Sequence, residues 1–122
     1  MGRLLLIDDD PALVARQARQ VFPSPEHVVD VAESGAQGVE SARRVRPDVV
    51  LLDLHLPDVS GFEVFQAIRR LDARIPVIFI TVARQADAAI EAMKQGAYDY
   101  LFKPLDLHRL REIVEGAFEV SR

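Results

Sequence analysis

Apolar residues recur along this chain in two rhythms. Three short runs are continuously apolar: Leu4-Leu5-Leu6-Ile7, Val49-Val50-Leu51-Leu52 and Val77-Ile78-Phe79-Ile80. Runs of this length, rich in branched side chains and bounded by Asp or Pro, read as strands buried on both faces. Two further runs are mixed. His27 to Ala32 is interrupted by polar residues, and Tyr98 to Phe102 alternates, which puts Tyr98, Tyr100 and Phe102 on one face. Both read as edge strands. Between the runs, apolar positions return at helical spacing. The stripes are Val14, Ala18, Val21; Val39, Ala42, Val45; Val64, Ile68, Leu71; Ala86, Ile90, Met93, Ala97; and Leu107, Leu110, Val114, Ala117.

The punctuation between these segments agrees with them. Asp10 followed by Pro11 reads as an N-cap and first turn, and Pro23-Ser24-Pro25 stops that helix. Ser34-Gly35 opens the second helix, in which Gly38 is a weak point, and Pro47-Asp48 ends it. Pro57, Asp58, Ser60 and Gly61 are turn chemistry. Gly96 stands near the end of the fourth helix, and Asp106 is a cap for the fifth. Five strands alternating with five helices predict parallel pairing with right-handed crossovers. The three most apolar strands belong in the sheet centre and the mixed ones at its edges. The expected architecture is therefore α/β, a flavodoxin-like three-layer α/β/α sandwich with a five-stranded parallel sheet in the order 2-1-3-4-5. Residues 1–122 form one domain, with no repeat, low-complexity segment or linker.

Composition narrows the chemistry. With 49% apolar and 28% charged residues the chain is of ordinary globular type. The absence of cysteine excludes a disulfide scaffold, a thiolate metal site and a cysteine nucleophile. A net charge of −4 argues against direct nucleic-acid binding, and Arg43, Arg44 and Arg46 read as a solvated helix face. No run is long enough to span a membrane and no basic-then-apolar leader opens the chain, so no membrane role and a cytoplasmic home are expected.

The candidate site follows from the strand order. Its switch point lies between the first and third strands, and their carboxyl ends carry Asp8, Asp9 and Asp53. Clustered carboxylates repel, and one is driven to protonate unless a cation neutralises them. Mg²⁺ suits an oxygen-only site that keeps positions open for water and a phosphate oxygen. Thr81 and Lys103 end the fourth and fifth strands, where a hydroxyl and an ammonium can bind the oxygens of an anion held near Asp53.

Ile7-Asp8-Asp9-Asp10, Leu52-Asp53-Leu54-His55-Leu56-Pro57 through Gly61, Ile80-Thr81 and Gly96-Ala97-Tyr98-Asp99-Tyr100-Leu101-Phe102-Lys103-Pro104 resemble the receiver domain of bacterial two-component response regulators. The resemblance covers essentially the whole chain. It implies a phosphorelay role in which Asp53 accepts a phosphoryl group from a sensor histidine kinase. By the same resemblance Asp9, Asp53 and the backbone carbonyl of His55 would ligate Mg²⁺, with Asp8 acting largely through water. Lys103 and Thr81 would bind phosphoryl oxygens, the Lys103–Pro104 bond would be cis, and Tyr100 would follow Thr81 inward. That movement would remodel the surface of the fourth helix, fifth strand and fifth helix, toward an output domain, a partner protein or a homodimer.

Departures from the family pattern fall on positions that tune phosphoryl lifetime: Val82 follows Thr81 where a small residue is usual, His55 stands two residues beyond Asp53, and Arg84 stands three beyond Thr81. The Gly96–Pro104 stretch is most similar to receivers that precede enhancer-type ATPase modules, the NtrC-like class. Two other functions remain open at this point. One is a receiver used for docking or dimerisation without phosphorylation. The other is a Mg²⁺-dependent phosphohydrolase passing through an aspartyl phosphate, for which Asp58 would have to supply the second acid.

Overall fold

A computed structural model describes residues 2–82 and 86–121. The described residues form β1 (Gly2–Ile7), α1 (Ala12–Val21), β2 (His27–Ala32), α2 (Gly35–Val45) and β3 (Val49–Asp53), then α3 (Gly61–Leu71), β4 (Val77–Val82), α4 (Ala86–Lys94), β5 (Asp99–Lys103) and α5 (Leu107–Ser121). The strands make one sheet in the order β2-β1-β3-β4-β5, and every pairing is parallel. This is the expected order, and its cause is visible in the burial. All of β3 is buried, whereas β2 and β5 are partly exposed.

Successive strand residues face opposite ways, so the sheet has a core on each side. Leu4, Leu6, Leu51, Ile78, Ile80 and Leu101 pack with α1 and α5. Leu5, Ile7, Val50, Leu52 and Phe79 pack with the helices of the other face. Asp106 caps α5 as expected, accepting from the His108 and Arg109 N–H groups at 2.9 and 3.3 Å.

Four local expectations need correction. Asp10 does not cap α1: Pro11 takes the N-cap position without a side-chain bond. The Asp10 N–H instead donates to Asp8 Oδ1 at 3.1 Å, because the chain turns back on the buried carboxylate first. Gly38 is not a weak point but a contact. It is buried in α2, and a Cβ there would lie 2.6 Å from Ile7 Cδ1, so only glycine lets this helix lie so close to β1. Tyr98 precedes β5 and escapes its alternation, packing toward α5 while Tyr100 packs on the opposite core. Finally, the α4 stripe is inverted. Ala89 and Ala92 are buried, whereas Ile90 and Met93 are 53% and 40% exposed. The helix ends as its Gly96 suggested. At φ +105° Gly96 donates to the Met93 carbonyl and Ala97 to that of Ala92, both at 3.1 Å.

Candidate functional site

The register builds the site. Ile7 pairs with Leu52, so the next residues, Asp8 and Asp53, leave adjacent strands side by side. Asp53 pairs with Ile80 and Val82 with Lys103, which brings Thr81 and the lysine to the same edge. Asp8, Asp53 and Thr81 are buried, at 0%, 6% and 2% exposure, while Asp9 is exposed. One carboxylate oxygen from each of Asp8, Asp9 and Asp53 lies within 4.8 Å of the others.

Lys103 Nζ spans two of these acids, donating to Asp8 Oδ2 at 2.9 Å and to Asp53 Oδ2 at 3.0 Å. The remaining oxygens are oriented by backbone: His55 N–H donates to Asp53 Oδ1 at 3.0 Å. Burial pushes the Asp8 carboxyl above the ordinary aspartate range, although the hydrogen bond from Lys103 pulls the other way. Burial also draws the Lys103 ammonium down, but its hydrogen bonds and charge pairing with Asp8 and Asp53 prevail, and it titrates above an ordinary lysine.

Three carboxylates face one ammonium here, an excess of negative charge that a divalent cation would balance. The donor set is all oxygen, and one oxygen of each carboxylate lies within 4.8 Å of the others, near enough to share one small, hard cation. The residues therefore fit a hard divalent ion, held by Asp8, Asp9 and Asp53.

The remaining predicted positions are placed as follows. Thr81 Oγ1 donates to the Val82 carbonyl at a long 3.4 Å. Val82 is half-buried at the end of β4. Tyr100 is half-buried, its ring 5.2 Å from that of Phe102. The side chain of His55 is exposed, and the Lys103–Pro104 bond is cis. Arg84 lies outside the described residues.

Asp58 is used elsewhere. Its Oδ1 and Oδ2 accept from the Gly35 and Ala36 N–H groups at 2.8 and 3.0 Å, at the start of α2. These two bonds hold its carboxyl below the ordinary range. The acid that the phosphohydrolase alternative requires is thus committed to a helix end. Sequence inspection missed this role because the partners are 23 and 22 residues away. It also missed the capping box of α3, in which Ser60 Oγ accepts from Glu63 N–H and Glu63 reaches back to Ser60 N–H. There the signal existed, since Ser60-Gly61-Phe62-Glu63 has the required spacing.

Comparison with known proteins agrees with this geometry. The family model for the response regulator receiver domain matches residues 4–115. The chain belongs to the response regulator receiver family. Over 109 residues, 89% of this chain, it is 37% identical to the regulatory protein LuxO of Vibrio cholerae, of which the match covers 24%. It is 32% identical to the regulatory protein AtoC of Escherichia coli over 99% of this chain and 26% of that protein. The chain thus spans about a quarter of the length of these curated relatives. Among solved structures, the signal receiver domain of a putative LuxO repressor protein from Vibrio parahaemolyticus superposes with a TM-score of 0.88 at 29% identity. That match covers 98% of this chain and 92% of the other. A receiver domain protein from Clostridium thermocellum gives 0.87 at 27% identity, covering 98% and 95%. Among the described residues no helix is long and apolar enough to cross a membrane.

Proposed function

We propose that this receiver is a phosphorylation-controlled switch in which Asp53 accepts a phosphoryl group from a histidine of a sensor kinase. The observation that carries the reading is the Lys103 ammonium bridging Asp8 and Asp53 within a carboxylate cluster that also contains Asp9. An oxygen of Asp53 attacks phosphorus in line. A P–O bond forms as the P–N bond to the kinase imidazole breaks, and the imidazole nitrogen keeps the electron pair and takes a proton from solvent. Mg²⁺, held by Asp8, Asp9, Asp53 and the His55 carbonyl, would supply charge neutralisation for the transferring group. Lys103 holds the acceptor carboxylate before transfer and a phosphoryl oxygen after it, and Thr81 donates its hydroxyl to another.

Movement of Thr81 toward that oxygen draws Tyr100 after it and shifts α4, β5 and α5 between two packings. The altered surface then acts on an output domain, a partner or a second copy, as befits a receiver similar to the regulatory proteins above, for which the enhancer-binding class is our reading. We read the module as cytoplasmic, touching neither membrane nor nucleic acid itself, in keeping with its net charge of −4. Branched Val82 beside the acceptor narrows the path of water to the phosphoryl group. Val82→Ala should therefore shorten the life of the phosphorylated form severalfold, and equal decay rates would remove that role from Val82.

Incubation with acetyl phosphate and Mg²⁺, followed by intact-mass and peptide analysis, tests the whole. The expected result is one phosphoryl group on Asp53, dependent on Mg²⁺ and absent in Asp53→Asn. Continuous turnover of the donor would point to a phosphohydrolase. No labelling under any condition would leave a docking module and end the phosphorylation reading.

A further inference from the structure

We propose that Asp58 is a positioning residue for the divalent-cation site, acting through the β3–α3 loop that it fastens to α2; this rests on the reading of that site given above. The loop contributes two backbone groups of one residue. His55 N–H orients Asp53 Oδ1, and the His55 carbonyl is the proposed ligand. A ligand on loop backbone is only as fixed as the loop.

The base of the loop is closed by its own chemistry. Gly61 N–H donates to the Leu54 carbonyl at 2.9 Å, and His55 and Ser60 form an antiparallel bridge. A Cβ on Gly61 would lie 2.6 Å from the Asp53 carbonyl oxygen, so the two ends approach as closely as glycine allows. The tip has no such closure. Pro57, Asp58 and Val59 are all exposed, and Asp58 and Val59 are held from across the gap. Both Asp58 oxygens accept from the first N–H groups of α2, and Val59 leans on Gly35. Two orphan donors of α2 are satisfied by a carboxylate favoured at a helix N-terminus.

The helix is a firm wall for this purpose. Gly38 and Ala42 are buried along it, and Gly38 sits directly on Ile7 of β1, the residue before Asp8. The sheet edge that carries Asp8 and the loop that carries His55 are therefore referenced to the same helix. Asp58 is the polar link between them. Because it is exposed, its truncation opens no cavity.

Mn²⁺ serves as the probe, with free Mn²⁺ measured by electron paramagnetic resonance in the parent and in Asp58→Ala, Asp58→Asn and Ser34→Ala. Ser34 caps the same helix, accepting from Gln37 N–H at 3.2 Å, a bond within the first turn of α2 itself. Its variant matches the loss of helix capping without the loss of positioning. We expect Asp58→Ala to weaken Mn²⁺ binding by roughly tenfold, Asp58→Asn to fall between it and the parent, and Ser34→Ala to bind within about twofold of the parent. In the metal-free protein, amide exchange of His55 and Gly61 should accelerate in Asp58→Ala, less so in Asp58→Asn, and not in Ser34→Ala. Equal Mn²⁺ affinity in Asp58→Ala and the parent, or equal weakening by Ser34→Ala, overturns the positioning role. A parent that leaves Mn²⁺ free overturns the cation site itself, and with it the positioning role of Asp58.

Discussion

At the residue scale the site is held together by opposed demands on a few charges. Asp8 is wholly buried, and its carboxylate is tolerated through Lys103 and the Asp10 N–H. Asp8→Asn should therefore raise the melting temperature of the metal-free protein, by about 3–6 °C if roughly 1 kcal/mol of repulsion is relieved. It should weaken divalent binding at the same time. A scan with and without Mg²⁺ checks both, and a variant less stable without metal would show that the buried charge is already compensated. Asp58 is the opposite case. The Gly35 and Ala36 N–H groups lower its folded pKa below the unfolded value, so its contribution is fully present above the ordinary carboxylate range. It is lost as pH falls through the lowered folded value. Urea midpoints measured from neutral to strongly acidic pH should fall less steeply for Asp58→Asn than for the parent, the two curves approaching each other at the acid end. Parallel curves would contradict the lowered pKa.

At the element scale, the strands were legible because continuous apolar runs at this length admit few alternatives, and their relative hydrophobicity ordered the sheet. The helices were legible as elements but less so as faces. In α4 the larger apolar residues Ile90 and Met93 suggested the inner stripe, yet Ala89 and Ala92 took it. Small side chains let the helix sit close to the sheet, a choice fixed by the space available and not by hydrophobicity. The same reasoning reverses the meaning of Gly38 in α2. Propensity alone predicts a gain of about 1 kcal/mol from Gly38→Ala. The contact with Ile7 predicts overpacking instead, a loss of roughly 1–3 kcal/mol. Gly116→Ala in α5 is the control, since its Cβ would meet only the Tyr98 hydroxyl end. Denaturant midpoints should drop for the first variant and change little for the second. A stabilised Gly38→Ala would mean that α2 can lift from β1 at small cost.

At the scale of the whole molecule, chemistry and ballast are separated along the strand direction. The acids converge where β1 and β3 end, while Arg43 and Arg44, Arg69 and Arg70, and Lys94 occupy the last turns of α2, α3 and α4. Cations there complement the helix termini and stay far from the carboxylates they would otherwise neutralise. The site end thus keeps the excess negative charge that a divalent cation would balance. That end was readable from sequence because strand order alone brings Asp8 and Asp53 together, and strand ends point the same way in a parallel sheet. The brace from Asp58 to α2 was not, since no local pattern reports which loop tip meets which helix. A ligand that joins the separated charges at this end should stabilise the fold as a unit, because it binds only where β1, β3, β4 and β5 are all in register. Beryllofluoride with Mg²⁺ at about a hundred times its dissociation constant should add roughly 2.7 kcal/mol, read as a raised denaturant midpoint. Asp53→Asn should gain nothing from the same mixture. A parent that gains no stability from beryllofluoride and Mg²⁺ together, or a gain that survives Asp53→Asn, would place the phosphoryl-mimic site somewhere other than this strand edge.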